Sequence, residues 1–126
     1  MAKISPQLQQ QLLQLQQLQQ KMEILVGQRM QLERELKETE RALAELEQLD
    51  ASATVFKTIG AILVKANKDK VKEELDDKKE TLDMRIKTIA RQEERAKTDL
   101  EEKRKALQAA LQPQMGGMGG GFPGPM

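Results

Sequence analysis

ASATVFKTIGAILVKA, residues 51–66, is the one stretch of the first 112 residues that does not read as helix. Val55, Phe56, Thr58 and Ile59 precede a Gly60-Ala61 pair, and Ile62, Leu63 and Val64 follow it. β-Branched and bulky side chains on both sides of a Gly-bearing turn fit two short strands better than continued helix. The reading is a β-hairpin over residues 54–66, built by Val55, Phe56, Ile59, Gly60, Ile62, Leu63 and Val64.

Working outward, the flanking segments are helical. Ser5 suits an N-cap and Pro6 the first helical position, where its missing N–H is harmless. From there a helix is predicted over residues 5–50, interrupted by no Pro and by Gly27 alone. Steps of four and three link Ile4, Leu8, Gln11, Leu15, Leu18, Met22, Leu25, Arg29, Leu32, Leu36, Thr39, Leu43 and Leu46, the 3.5-residue repeat of a coiled coil. After the hairpin, Asn67 suits an N-cap, and a second helix is predicted over 67–112. Its frame runs Leu75, Lys79, Leu82, Ile86, Ile89, Glu93, Ala96, Leu100, Lys103, Leu107 and Ala110. Glu74 and Lys78, Asp83 and Lys87, and Glu101 and Lys105 lie four apart and support an exposed helix. Residues 113–126, PQMGGMGGGFPGPM, hold six Gly and three Pro and read as a disordered Gly/Met/Pro-rich tail.

Both helices would be about 65 Å long at ~1.5 Å per residue, so folding back at the hairpin brings their ends level. A single antiparallel register matches every layer, pairing Leu18 with Leu100, Met22 with Ala96, Leu32 with Ile86, Leu36 with Leu82 and Leu43 with Leu75. The fold class is mainly α: a long antiparallel two-helix coiled coil joined by a short β-hairpin, one domain over residues 1–112.

Composition narrows the function. Cys and His are absent, which excludes thiolate nucleophiles, imidazole bases, disulfides and the usual zinc sites. The 21 basic and 20 acidic residues are interspersed, and aromatics are 2%, so no basic aromatic face for nucleic acid is visible. No apolar run approaches bilayer length and no signal-peptide layout opens the chain, so no membrane role is expected and the default location is cytoplasmic. Two helices alone enclose no pocket, and no phosphate-cradling Gly loop precedes a helix. No enzyme, metal or cofactor is expected.

An isolated two-stranded hairpin is marginal in water and leaves two unpaired edges. It therefore either completes a sheet with other subunits or caps the helical turn of a monomer; the first reading is favoured. At the opposite end, residues 7–20 consist only of Gln and Leu. Leu12, Leu13 and Leu111 fall outside the seam frame. With Ile4, Leu8 and Leu107 they read equally as an exposed apolar tip, suited to weak promiscuous capture, or as a widened helix stripe.

The run DASATVFKTIGAILVKANKDKV, residues 50–71, resembles the strand-turn-strand and second-helix entry of prefoldin β subunits of the archaeal type, and TLDMRIKTIARQEERAK, residues 81–97, is similar to the same family's second helix. A single hairpin rather than two points to the β class. The resemblance implies a hexamer of two α-type and four β-type subunits, with a β-barrel platform and projecting coiled coils. It also implies ATP-independent capture of unfolded polypeptides at the tips and delivery to a group II chaperonin. Carried onto this chain, Val55, Phe56, Ile59, Ile62, Leu63 and Val64 would build the platform. Ile4, Leu8, Leu12, Leu13, Leu107 and Leu111 would touch the client. The rival reading is a purely structural coiled-coil scaffold or tether, which would need neither the hairpin nor an apolar tip.

Overall fold

In the computed structural model, residues 5–119 are described, with side chains described for 5–111. The elements run α1 (Pro6–Glu47), β1 (Val55–Ile59), β2 (Ile62–Ala66) and α2 (Lys68–Gly119).

Each helix starts where its cap allows. The Leu8 amide donates to Ser5 Oγ at 3.1 Å, and Gln9 N–H closes the first turn on the Ser5 carbonyl. Asn67 Oδ1 accepts from the Asp69 and Lys70 amides at 2.9 and 3.2 Å, satisfying two of the free donors that open α2. At the other end of α1, Gln48 and Leu49 bond back to Glu45 and Leu46, tightening the last turn. Those three-residue bonds end regular helix at Glu47, three residues before the expected limit. α2 instead runs seven residues beyond its expected end at 112, so 113–119 of the expected tail is helical. Pro113 donates no bond to the preceding turn, and Gly116, Gly117 and Gly119 each cost about 1 kcal/mol against Ala, so this extension has weak local support.

The chain packs as two units. In Gly27–Ala90, α1 and α2 run antiparallel from the hairpin. Lys72 and Lys79 reach Glu47 and Glu40 at 3.7 and 3.6 Å, one heptad apart on each helix. The expected register faces Thr39 with Lys79, one residue from the observed partner, so the ion pairs and the apolar frame agree. Leu46, Leu82 and Thr39 are buried here. Thr39 is 3% exposed, and its hydroxyl donates to the Glu35 carbonyl at 2.8 Å, which makes a polar residue tolerable in the seam. In the other unit, the described parts of Met1–Val26 and Arg91–Met126 pack together. Leu8, Leu25, Ala96 and Leu107 are its buried residues.

Every frame position of α1 from Leu8 to Leu46 is buried or half-buried. On α2 the same holds from Leu75 to Leu100, whereas Lys103 and Ala110 are exposed. Among the described residues no large side chain is fully buried, as a seam only two helices wide requires. No helix of the described residues is long and apolar enough to cross a membrane.

β1 and β2 pair antiparallel, with Ile59 opposite Ile62 and Val55 opposite Ala66. The two-residue loop begins with Gly60 at φ +61°, and no described non-glycine residue has positive φ, the pattern of a type II′ turn. Gly27 sits within α1, where an added Cβ would meet nothing within 4 Å, and the same space is open at Gly60. The two glycines thus differ only in backbone demand. Gly60→Ala is expected to destabilise the chain by about 1–2 kcal/mol, and Gly27→Ala to stabilise it by about 0.5–1 kcal/mol. Urea unfolding of both variants checks the pair; equal signs would contradict the assigned turn.

Candidate functional site

Strand alternation gives the hairpin two faces. Val55, Lys57 and Ile59 share one with Ala66, Val64 and Ile62; Phe56 and Thr58 share the other with Lys65 and Leu63. On the first face Val55, Lys57, Val64 and Ala66 are half-buried, while Ile59 and Ile62, next to the turn, are 53% and 59% exposed. On the second, Phe56 and Leu63 are 55% and 67% exposed. The hairpin residues singled out in the sequence are therefore together in one element. Within the single chain Phe56 is uncovered rather than packed beneath a sheet. The described sheet has only these two strands, so each has an outer edge whose backbone groups no described strand pairs.

Two lysines hold the junction of hairpin and helices. Lys57 Nζ donates to both carboxylate oxygens of Glu74 at 3.1 Å, linking β1 to the second turn of α2. Glu74 thus takes a partner from the hairpin instead of Lys78, the partner expected along its own helix. Lys68 Nζ donates at 2.8 Å to the Leu49 carbonyl, a free acceptor just past the end of α1, where a cation also suits the helix dipole. Exposed ion pairs are individually worth about 0–1 kcal/mol, so these contacts set orientation more than stability. Lys57 was legible as an inward residue, since it alternates with Val55; its partner was not, because the hairpin's tilt decides which turn of α2 it reaches.

The unit formed by the chain's two end segments holds the second group of candidate residues. Leu8 is 3% exposed and Leu107 8%, so both are seam residues and not open apolar surface. Leu107 was left open between an exposed tip and a helix stripe; it is buried on the α2 frame, facing α1. Leu12 and Leu111 are half-buried, and Leu13 is 53% exposed. Ile4 lies outside the described residues, as do residues 120–126. Gln11 sits in the frame, and its Oε1 is buried with no hydrogen-bond partner.

A further feature escaped the sequence reading. In the Gly27–Ala90 unit an open groove of about 700 Å³ runs beside the seam, lined by Leu32, Met84, Ile89, Gln28, Thr88 and others. Two helices do leave a groove, though not an enclosed pocket. Met84 falls off the heptad frame, so periodicity gave it no role.

Similarity to known proteins is broad. The family model described as "Prefoldin subunit" matches residues 9–114. The prefoldin subunit beta of Archaeoglobus fulgidus is 46% identical over 116 residues, covering 92% of this chain and all of that protein. That of Pyrococcus furiosus is 37% identical, covering 93% of this chain and all of its own length. The crystal structure of the prefoldin beta subunit from Thermococcus strain KS-1 superposes with a TM-score of 0.81 at 41% identity, over 90% of this chain and 99% of that one.

The contrast between neighbouring leucines is testable. Leu8→Ala is expected to lower stability by about 2 kcal/mol, at the low end for buried leucines because the seam is thin. Leu13→Ala should stay within about 0.5 kcal/mol. Denaturant midpoints of the two variants check this, and comparable losses would contradict the assignment of Leu13 to the outer face.

Proposed function

The chain belongs to the prefoldin family, as a subunit of the beta type, and from that chaperone membership we propose that it holds unfolded polypeptides without ATP and passes them to a group II chaperonin. In this reading it works in the cytosol as one of four copies joined to two α-type subunits. The hairpins form a common β-barrel platform, and the ends carrying Ser5 and Leu111 take the client.

The observation that supports it best is the hairpin left open on both edges, on its Phe56–Leu63 face and beside the turn at Ile59 and Ile62. Burying the exposed portions of Phe56, Ile59, Ile62 and Leu63 is worth about 3–6 kcal/mol, taking roughly half of each side chain's full-burial value. One hairpin-to-hairpin contact would hardly exceed the cost of association, which is about 4–15 kcal/mol. A closed ring uses both edges of every hairpin and leaves none exposed, so several subunits succeed where two would not. An unpartnered tether has no need of Leu63 or Phe56 in water.

Capture at the opposite end fits residues 7–20, which carry no charge at all. Leucines among glutamines offer apolar contact and neutral hydrogen bonding, which selects for exposed chain rather than for a particular sequence. Val55, Gly60 and Val64 serve the platform from within the hairpin, and Leu8, Leu12, Leu13, Leu107 and Leu111 serve the client, with Ile4 beside them in sequence.

Native mass spectrometry of the chain mixed with an α-type subunit tests the assembly. A complex of two α-type and four β-type chains is expected, and Leu63→Glu should dissociate it with helix content unchanged by circular dichroism. Persistence of the Leu63→Glu complex would refute the platform assignment. Deleting residues 4–13 should leave assembly intact and cut suppression of aggregation several-fold; full suppression by the truncated complex would refute capture at this end.

A further inference from the structure

We propose that Lys65 decides which chain joins the hairpin: its ammonium pairs with a carboxylate on a strand of the α-type subunit, in preference to a second copy of this chain. The inference rests on the platform reading above and deepens it, by stating the chemistry that the partner strand must carry.

The hairpin is cationic and has no acid of its own. Residues 51–66 hold Lys57 and Lys65 and neither Asp nor Glu. The two lysines have different surroundings. Lys57 is half-buried and donates to both carboxylate oxygens of Glu74 at 3.1 Å, so its charge is balanced inside the chain. Lys65 lies on the other face, directly across from Phe56 and two residues from Leu63 along β2. It is exposed and makes no ion pair among the described residues. Thr58, the fourth residue of this face, is neutral, so Lys65 is the one charge the face presents.

These positions tie the fate of the charge to that of the apolar surface. Phe56 and Leu63 are 55% and 67% exposed, and a strand that covers both also takes their neighbour Lys65 out of water. An ammonium withdrawn from water is costly unless a counter-charge meets it. A second copy of the hairpin supplies none, because it brings two more lysines and no carboxylate. Lysines on edge strands oppose like-with-like pairing for this reason. A strand of different sequence carrying Asp or Glu removes the cost, and sign then discriminates between partners where shape alone would not. The partner strand therefore combines apolar residues, to meet Phe56 and Leu63, with one carboxylate placed for Lys65 Nζ.

The test is carbodiimide coupling of this chain in complex with an α-type subunit, beside native mass spectrometry of Lys65 variants. Carbodiimide joins an amine to a carboxylate already in contact with it, with loss of water. Peptide mapping should find Lys65 joined to an Asp or Glu of the α-type chain. Lys65→Arg should remove that product while the complex persists. Lys65→Met, similar in length and uncharged, should weaken the heteromeric complex about a hundredfold by leaving the partner's carboxylate unpaired. The same variant alone should self-associate about tenfold more tightly than the native chain. Lys65 coupled to no α-type carboxylate overturns the proposal, as does a Lys65→Met complex as stable as the native one. Self-association unaltered by Lys65→Met overturns it too. Leu63→Glu separates this inference from the platform reading. If Leu63→Glu dissociates the complex and Lys65→Met does not, the platform stands and the lysine pairing falls; a complex that survives Leu63→Glu ends both.

Discussion

A seam between two helices can bury one stripe of each and nothing more, and that limit governs the rest of this molecule. No described large side chain is fully buried, and the best protected residues, Leu8, Thr39, Leu82 and Ala96, still keep a few percent of their surface. With so little burial per residue, the register cannot depend on volume alone. It is marked instead by what surrounds the stripe. In the Gly27–Ala90 unit, Lys72 and Lys79 find Glu47 and Glu40 at heptad spacing, so a slip of either helix would separate charges as well as leucines. A thin seam also leaves the hairpin without a core beneath it. Its own stability must come from the lysine contacts to the helices and from partners outside the chain.

Those lysine contacts make the hairpin an extension of the coil instead of a loose loop. Lys57 fixes β1 to Glu74, while Lys68, at the start of α2, satisfies the Leu49 carbonyl just past the end of α1. Asn67 closes the junction by capping α2 immediately after β2 ends. The turn at Gly60 then fixes which residues face which way, since its type sets the pairing of Ile59 with Ile62 and hence all the rest. Phe56 and Leu63 are placed outward as a consequence of that register. The apolar outer face is thus determined by one glycine and anchored to α2 by one exposed, inexpensive ion pair, Lys57 with Glu74.

Much of this was legible in the sequence because both periods are clean. The heptad frame names every buried position on α1, including the polar Thr39, and the alternation around Gly60 gives the strand faces. Three things were not legible, each for a physical reason. The end of α1 depends on a switch of hydrogen-bond partner at Gln48 and Leu49, which no residue type announces. The helix over 113–119 runs through a Pro and several Gly against their intrinsic preference. Leu107 was left open because it lies near the chain's end, whereas its frame position outweighs that proximity. A seam residue is shielded by its partner helix wherever it falls along the pair.

Charge is distributed unevenly along the sequence of α1. Residues 7–20 have none, while residues 33–47 carry nine charged side chains, two of which make the cross-helix ion pairs. Near the hairpin, then, register is specified twice, by leucines and by charge. Along residues 7–20 α1 offers only leucines to mark it, with Gln11 set among them. Glutamine is a good helix former, so this loss of specification does not weaken α1 as a helix. It weakens only the preference of that helix for its partner. A sequence that needed a uniformly rigid rod would have repeated the glutamate and lysine pattern to the end. This one keeps its register markers beside the hairpin and leaves residues 7–20 with leucine and glutamine alone.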